Sequence, residues 1–100
     1  MMSETRHSRD AFAAALHTKF GLRQAINKPI ELELVHVSEL QSTPHQEIFS
    51  ILFRGPLEIL LPQRTYQLEH EQMGMLSLFI VPVGKDEQGY EYEAVFNCVK

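Results

Sequence analysis

Five histidines are the residues in this sequence best suited to binding a metal or exchanging a proton near neutral pH. They are spread along the chain, at His7, His17, His36, His45 and His70. None falls in a spacing typical of metal sites, such as HxH or HExxH, and a single cysteine cannot form a CxxC pair. A metal site would need His36, His70 and a carboxylate such as Glu69 to converge from different strands. We therefore expect surface or hydrogen-bonded histidines, and neither a metal nor another cofactor.

The candidate nucleophiles are equally isolated. Cys98 has no neighbouring histidine that could activate its thiol, and neither Ser50 nor Ser77 lies in a GxSxG turn. The glycines are single residues at breaks in the pattern, so the sequence has no glycine-rich phosphate loop. We predict no catalytic residues and a protein that is not an enzyme.

Six glutamates alternate with apolar or aromatic residues, at Glu31, Glu33, Glu69, Glu71, Glu91 and Glu93. On strands with one buried face, these side chains point outward. If the strands that carry them pair, the glutamates form an outer acidic stripe. Such a stripe is either a solvated face or a docking face for a basic partner. Catalysis by paired carboxylates would instead require a cleft that separates their pKa values.

The charged run Glu69-His70-Glu71 lies just before the most apolar segment of the chain, Met75–Val83. We interpret the run as the end of a hairpin strand, where charges keep the strand solvated and discourage edge pairing. A functional site at this run is the alternative. Gly74, in the turn that follows, is expected to adopt a positive φ.

Charge and hydropathy exclude two classes of partner. The formal net charge of −4 argues against nucleic acid, because that binding depends on Lys and Arg neutralising phosphates. The nine residues of Met75–Val83 are far short of the roughly 20 that a membrane helix needs. The first ten residues contain no apolar core typical of a signal peptide, and a single cysteine fits a reducing compartment. The expected location is the cytoplasm.

Local patterns predict one helix followed by strands. Ser8 is a candidate N-cap for a helix over about 8–18, whose Phe12 and Leu16 share one face. After Pro29 the apolar period changes to two, which indicates strands. In IELELVHVSEL (residues 30–40) the apolar phase slips, which suggests a bulge. The composition of QSTPHQ (residues 41–46) predicts a loop.

The alternation after Pro29 predicts five to six strands joined mostly by short turns. An antiparallel meander is expected, because parallel neighbours need long crossovers. Several segments are apolar on both faces, which favours a curled sheet, a small barrel or a sandwich with the helix against one end or face. We predict a flexible tail at residues 1–7 and a single mainly β domain over residues 8–100.

The stretch from Gly55 to Pro62 is bounded by breakers but is apolar between them, with Leu57, Ile59, Leu60 and Leu61. We interpret it as a crossing that closes one end of the core. Arg54 and Arg64 flank it, and they are expected to brace its carbonyl groups or, alternatively, to form a small anion site.

Three segments together resemble an uncharacterised family of small bacterial proteins: FSILFRGP (49–56), LPQRTYQLEHEQMGMLSLFIVPVG (61–84) and YEAVFN (92–97). They cover about half of the chain. The resemblance implies an association with phage-tail-like or tail-collar proteins, through gene neighbourhood alone. It implies no catalytic residues.

These observations favour a non-enzymatic protein-interaction or assembly-accessory domain, with a protein partner or a second copy as its contact. The residues predicted to form the contact surface are Leu57, Ile59, Leu60, Glu69, Glu71, Glu91 and Glu93. The alternative is a small-molecule-binding β-barrel whose ligand enters between the helix and the strands.

Overall fold

The computed structural model describes residues 8–23 and 29–99, with side chains up to Asn97. The predicted tail at residues 1–7 and the side chain of Cys98 lie outside this part. The elements in chain order are α1 (Arg9–Ala14), β1 (Lys19–Leu22), β2 (Glu31–Val37), β3 (Gln41–Ser42), β4 (Gln46–Gly55), β5 (Arg64–His70), β6 (Gly74–Asp86) and β7 (Gly89–Val99).

Six of the strands form a closed antiparallel barrel. Neighbouring strands follow the order β2-β1-β5-β6-β7-β4-β3, and an additional pairing of β2 with β4 closes the ring. β3 is a seventh strand that pairs with β4. The predicted mainly β antiparallel fold is confirmed, and the barrel is the form it takes. QSTPHQ, predicted as a loop, contains the two residues of β3.

The helix is shorter than predicted and ends at Ala14. Its start is as expected, because the Ser8 side chain accepts a hydrogen bond from the Ala11 N–H at 3.2 Å. After the helix, the His17 N–H donates to the Leu34 carbonyl at 2.7 Å, and the Leu34 N–H donates to Thr18 at 3.0 Å. Strand pairing with β2 therefore takes the His17 N–H, which a longer helix would have bonded within itself, and the Thr18 carbonyl.

Strict alternation on β5 places its side chains on the two faces of the barrel wall. Leu68 is fully buried and Glu69 is exposed, as their neighbouring positions predict. The register of β2 with β4 shifts between Leu34 and His36, which confirms the bulge inferred from the phase slip. At the helix end of the core, Phe12 packs on Phe96 with a ring-centroid distance of 5.2 Å.

The longest ladder joins β4 and β7 and extends past the ring. It runs from Gln46–Val99 to Gly55–Tyr90, whereas β6 pairs with β7 only from Val81–Glu93 onward. Before Val81, β6 pairs with β5 instead. The molecule is accordingly elongated, with extents of 44 × 27 × 23 Å.

Gly74→Ala should lower the free energy of unfolding by about 1–2 kcal/mol, because an alanine is strained in the left-handed region. Gly74 has φ +78°, as predicted, and open space where a Cβ would lie, so backbone strain is the main cost. Urea denaturation measures the effect. Gly84→Ala is the matched control, since its Cβ would make an ordinary 3.6 Å contact with Glu91. Equal losses in the two variants would contradict this assignment.

Candidate functional site

The segment between β4 and β5, residues 56–63, presents apolar side chains to solvent; we call it the crossing segment. Leu57, Ile59 and Leu60 are 43%, 40% and 52% exposed, whereas Leu61 is 5% exposed. The prediction that this segment closes one end of the core is therefore correct for Leu61 alone. The other three apolar side chains form an exposed surface.

Two buried tyrosines hold the crossing segment through their hydroxyl groups. The Tyr92 hydroxyl accepts a hydrogen bond from the Leu61 N–H at 3.0 Å. The Tyr66 hydroxyl donates to the Pro62 carbonyl at 2.7 Å. Because both rings belong to the core of the barrel, the backbone after Leu60 is anchored to the most buried part of the molecule. The exposed leucines therefore lie on an ordered support.

The arginines do not brace the crossing segment, contrary to our expectation. Arg54 Nη2 lies 3.5 Å from an Asp86 carboxylate oxygen and 3.6 Å from a Glu91 oxygen. The guanidinium of Arg64 lies over the ring of Tyr66, 5.7 Å from its centroid. Tyrosine hydroxyls make the backbone contacts that we assigned to arginine, Tyr66 to a carbonyl oxygen and Tyr92 to an N–H group. A tyrosine at a buried strand position signals this role, because a buried hydroxyl normally finds a partner.

Raising the pH above about 10 should destabilise the protein through these two phenols. Burial raises the pKa of Tyr66, against the opposing charge of Arg64, and burial also raises the pKa of Tyr92. The unfolded chain therefore releases these protons first. The two tyrosines contribute their full stabilisation below the tyrosine pKa of the unfolded chain. This stabilisation is lost as the pH rises through the pKa values of Tyr66 and Tyr92 in the folded protein.

Urea midpoints between pH 9 and 11, a window of about one unit on each side of the ordinary tyrosine pKa, measure this loss. The double variant Tyr66→Phe/Tyr92→Phe should show a shallower alkaline decline than the wild type. An unchanged slope in the double variant would show that other groups cause the decline.

The predicted acidic stripe is interrupted by basic residues. The strands carrying Glu33 and Glu91 do not pair, because β4 lies between them and places Arg54 opposite both glutamates. Lys19 pairs in register with Glu33 on the other side. Charges of opposite sign therefore alternate across this wall of the barrel.

Glu93 lies two residues after Glu91 on β7, whereas Glu69 and Glu71 lie on β5 and in the turn that follows it. Glu69 is exposed and lies 3.5 Å from Arg23 Nη1. Glu71 is exposed in the turn between β5 and β6, and Glu93 is partly buried opposite Leu52 and Val81.

A cleft of about 470 Å³ lies on the outside of the barrel wall. Its lining includes Lys19, Glu33 and Arg54 from the charged row, with Pro29 and Pro56 beside them. The ligand entrance expected between the helix and the strands is therefore not where this cleft is found. Its chemistry suits a small molecule that carries both positive and negative charge.

His70 is buried, unlike the two glutamates beside it. Its Nδ1 accepts hydrogen bonds from the N–H groups of Gln72 at 3.0 Å and Met73 at 3.1 Å. Its Nε2 lies 2.8 Å from the Thr18 hydroxyl, which itself donates to the Ala15 carbonyl at 2.6 Å. Nε2 must therefore carry the proton. Our interpretation of the run as solvated punctuation holds for Glu69 and Glu71 and is wrong for His70.

The three residues that a metal site would have required do not converge. His36 is exposed on the outside of β2, Glu69 points outward from β5, and both ring nitrogens of His70 are used inside the barrel. In residues 8–23 and 29–97, whose side chains are described, no group of three or more potential metal ligands is present. No helix in that part of the chain is long and apolar enough to cross a membrane.

Fold and surface together define a small six-stranded antiparallel barrel with a short helix before its first strand and an exposed apolar crossing segment. The chain belongs to the family described as a domain of unknown function, DUF6916, whose family model matches residues 7–96. Searches of curated proteins and of solved structures returned no match. The assignment to an uncharacterised family agrees with the resemblance carried by residues 49–97.

Proposed function

We propose that this DUF6916 domain is a non-enzymatic protein-interaction or assembly-accessory domain that binds its partner through the crossing segment. The observation that carries the proposal is the exposure of Leu57, Ile59 and Leu60 on a backbone anchored by two buried tyrosine hydroxyls. Apolar side chains on a pre-organised support lose little conformational entropy on binding. The same side chains on a mobile loop would bind less tightly for an equal contact area.

The exposed glutamates contribute orientation rather than most of the affinity. Glu71 and Glu69 are accessible, and the chain carries a formal net charge of −4, so a partner with a basic surface is favoured. Such steering weakens as salt rises. Following the sequence resemblance, the proposed partner is a component of a phage-tail-like particle in the cytoplasm.

Co-expression with phage-tail-like proteins, the class of partner that the resemblance implies, tests the proposal. If a complex survives purification, interferometry would measure the dissociation constant of the partner for the wild type and for the variant Ile59→Ser/Leu60→Ser. The variant should bind at least about tenfold more weakly, because burying one large apolar side chain contributes roughly 1.5–3 kcal/mol.

Val83→Ser is the matched control, because Val83 is as exposed as Leu60 but lies on β6. Its binding should equal that of the wild type. The proposal fails if none of these proteins binds, or if the Ile59→Ser/Leu60→Ser variant binds as tightly as the wild type.

A second candidate function, the binding of a small molecule, is favoured by the cleft that contains Lys19, Glu33 and Arg54. A screen of zwitterionic metabolites by amide chemical shift would test it. Shifts confined to β1, β2 and the start of the crossing segment, abolished by Lys19→Gln, would support this function. Shifts at residues 59–60 alone would instead favour the apolar surface.

A further inference from the structure

Part of strand β7 has an edge that no other described strand pairs with. β6 pairs with β5 as far as Ile80 and with β7 from Val81 onward. Beyond Glu93, the only paired neighbour of β7 in the described residues is β4. The backbone groups of residues 94–99 that point away from β4 consequently have no strand beside them in that part of the chain.

This edge lacks the features that usually prevent strands from pairing with other chains. Natural edges carry charged residues, proline or a bulge. The second half of β6 has all three, with Pro82, Lys85 and a register shift between Pro82 and Gly84. Residues 94–99, with the sequence AVFNCV, contain no proline and no Lys, Arg, Asp or Glu. The edge of β7 is therefore suited to pairing.

Apolar side chains border the same edge on the outer face. Val95 is 62% exposed and Phe79 is 52% exposed. Neither residue belongs to the β6–β7 ladder, which begins at Val81 and Glu93. Val95 therefore presents an exposed apolar side chain on the part of β7 that β6 does not pair.

We propose that a second copy of this chain adds its own β7 to the edge, so that β4–β7 of one protomer and β7–β4 of its partner form one antiparallel sheet. A two-fold axis perpendicular to the sheet keeps inward-facing residues on the same side in both copies, so one edge can pair with itself. Two chains that each carry a net charge of −4 repel one another in general. Residues 94–99 bring no acidic side chain to the contact, which makes this the edge where a second copy meets least repulsion.

Sedimentation velocity at about 10 to 200 µM, a range suited to a small interface, tests the proposal. The mass of the wild type should rise toward that of a dimer with concentration. Val95→Lys should raise the dimer dissociation constant at least about tenfold, because it brings two like charges close to the two-fold axis. Val83→Lys, the same exchange at an exposed position outside the edge, should leave dimerisation unchanged.

Amide hydrogen exchange of the wild type gives a readout that does not depend on any variant folding. Protection of residues 94–97 should increase with concentration, because their open backbone groups become paired. A monomer at every concentration would overturn the proposal, and so would a dimer without this protection. A dimer disrupted by Leu60→Lys but not by Val95→Lys would place the contact on the crossing segment instead. These outcomes are independent of whether a tail-like partner binds.

Discussion

His70→Ala is expected to lower the free energy of unfolding by about 3–5 kcal/mol. The variant leaves the N–H groups of Gln72 and Met73 without their acceptor, and it removes the donor to the Thr18 hydroxyl. It also removes the imidazole ring, whose centroid lies 4.3 Å from the ring centroid of Phe20. The losses of these hydrogen bonds and of this ring contact add, because the single side chain of His70 connects the turn after β5 with the segment before β1. Urea denaturation followed by circular dichroism measures the change.

Two further variants separate these contributions. His36→Ala removes an exposed histidine and should change stability by less than about 0.5 kcal/mol. His70→Asn retains an acceptor for the turn but does not reach Thr18, so its stability should fall between those of the wild type and His70→Ala. If His36→Ala and His70→Ala lose the same stability, the hydrogen bonds of His70 do not stabilise the barrel.

Gly89→Ala should cost about 3 kcal/mol or more, because the new methyl group would overlap backbone. A Cβ at this position would lie well inside the contact distance of the Gly55 carbonyl oxygen and 3.0 Å from Arg54 Cγ. The neighbouring residue Tyr90 pairs in register with Gly55, so the strands cannot separate there without breaking their ladder. Thermal and urea denaturation should show the loss.

Gly21→Ala is the matched control for this effect. Its Cβ would also face a backbone carbonyl, that of Glu69, but at an ordinary contact distance of 3.8 Å. It should change stability by less than about 1 kcal/mol. A Gly89→Ala protein as stable as Gly21→Ala would show that β4 and β7 can move apart without cost.

The sequence specified the faces of the strands better than the ends of the elements. Alternation in RTYQLEH is a local property, so the burial of Tyr66 and Leu68 follows from the period alone. The end of α1 depends on hydrogen bonds with Leu34, a residue 17 positions beyond His17. The helix propensity of residues 15–18 carries no information about hydrogen bonds with Leu34, which compete with those of a longer helix.

In the candidate surface, too, local properties could be predicted from the sequence and contacts between distant residues could not. The apolar residues of the crossing segment were visible in the sequence, but the backbone at Leu61 is anchored by a hydrogen bond with Tyr92, 31 positions further along the chain. His70 is different, because the sequence contained its signal. It continues the inward series of Tyr66 and Leu68 at a spacing of two, yet its charged neighbours led us to assign it to solvent.

The ring is held unevenly around its circumference. Within the described residues, β1 meets β5 at two register pairs, Gly21–Glu69 and Leu22–Leu68, whereas β4 and β7 share ten. These two pairs join residues 48 and 46 positions apart, so they form only after the chain entropy of a long loop has been lost. The barrel should therefore open and reclose between β1 and β5 more often than elsewhere. Faster amide exchange at Arg23, whose N–H donates to the Gln67 carbonyl of β5 at 2.9 Å, than at Phe53 would reveal this opening. Each opening turns a closed ring into a sheet with two free edges.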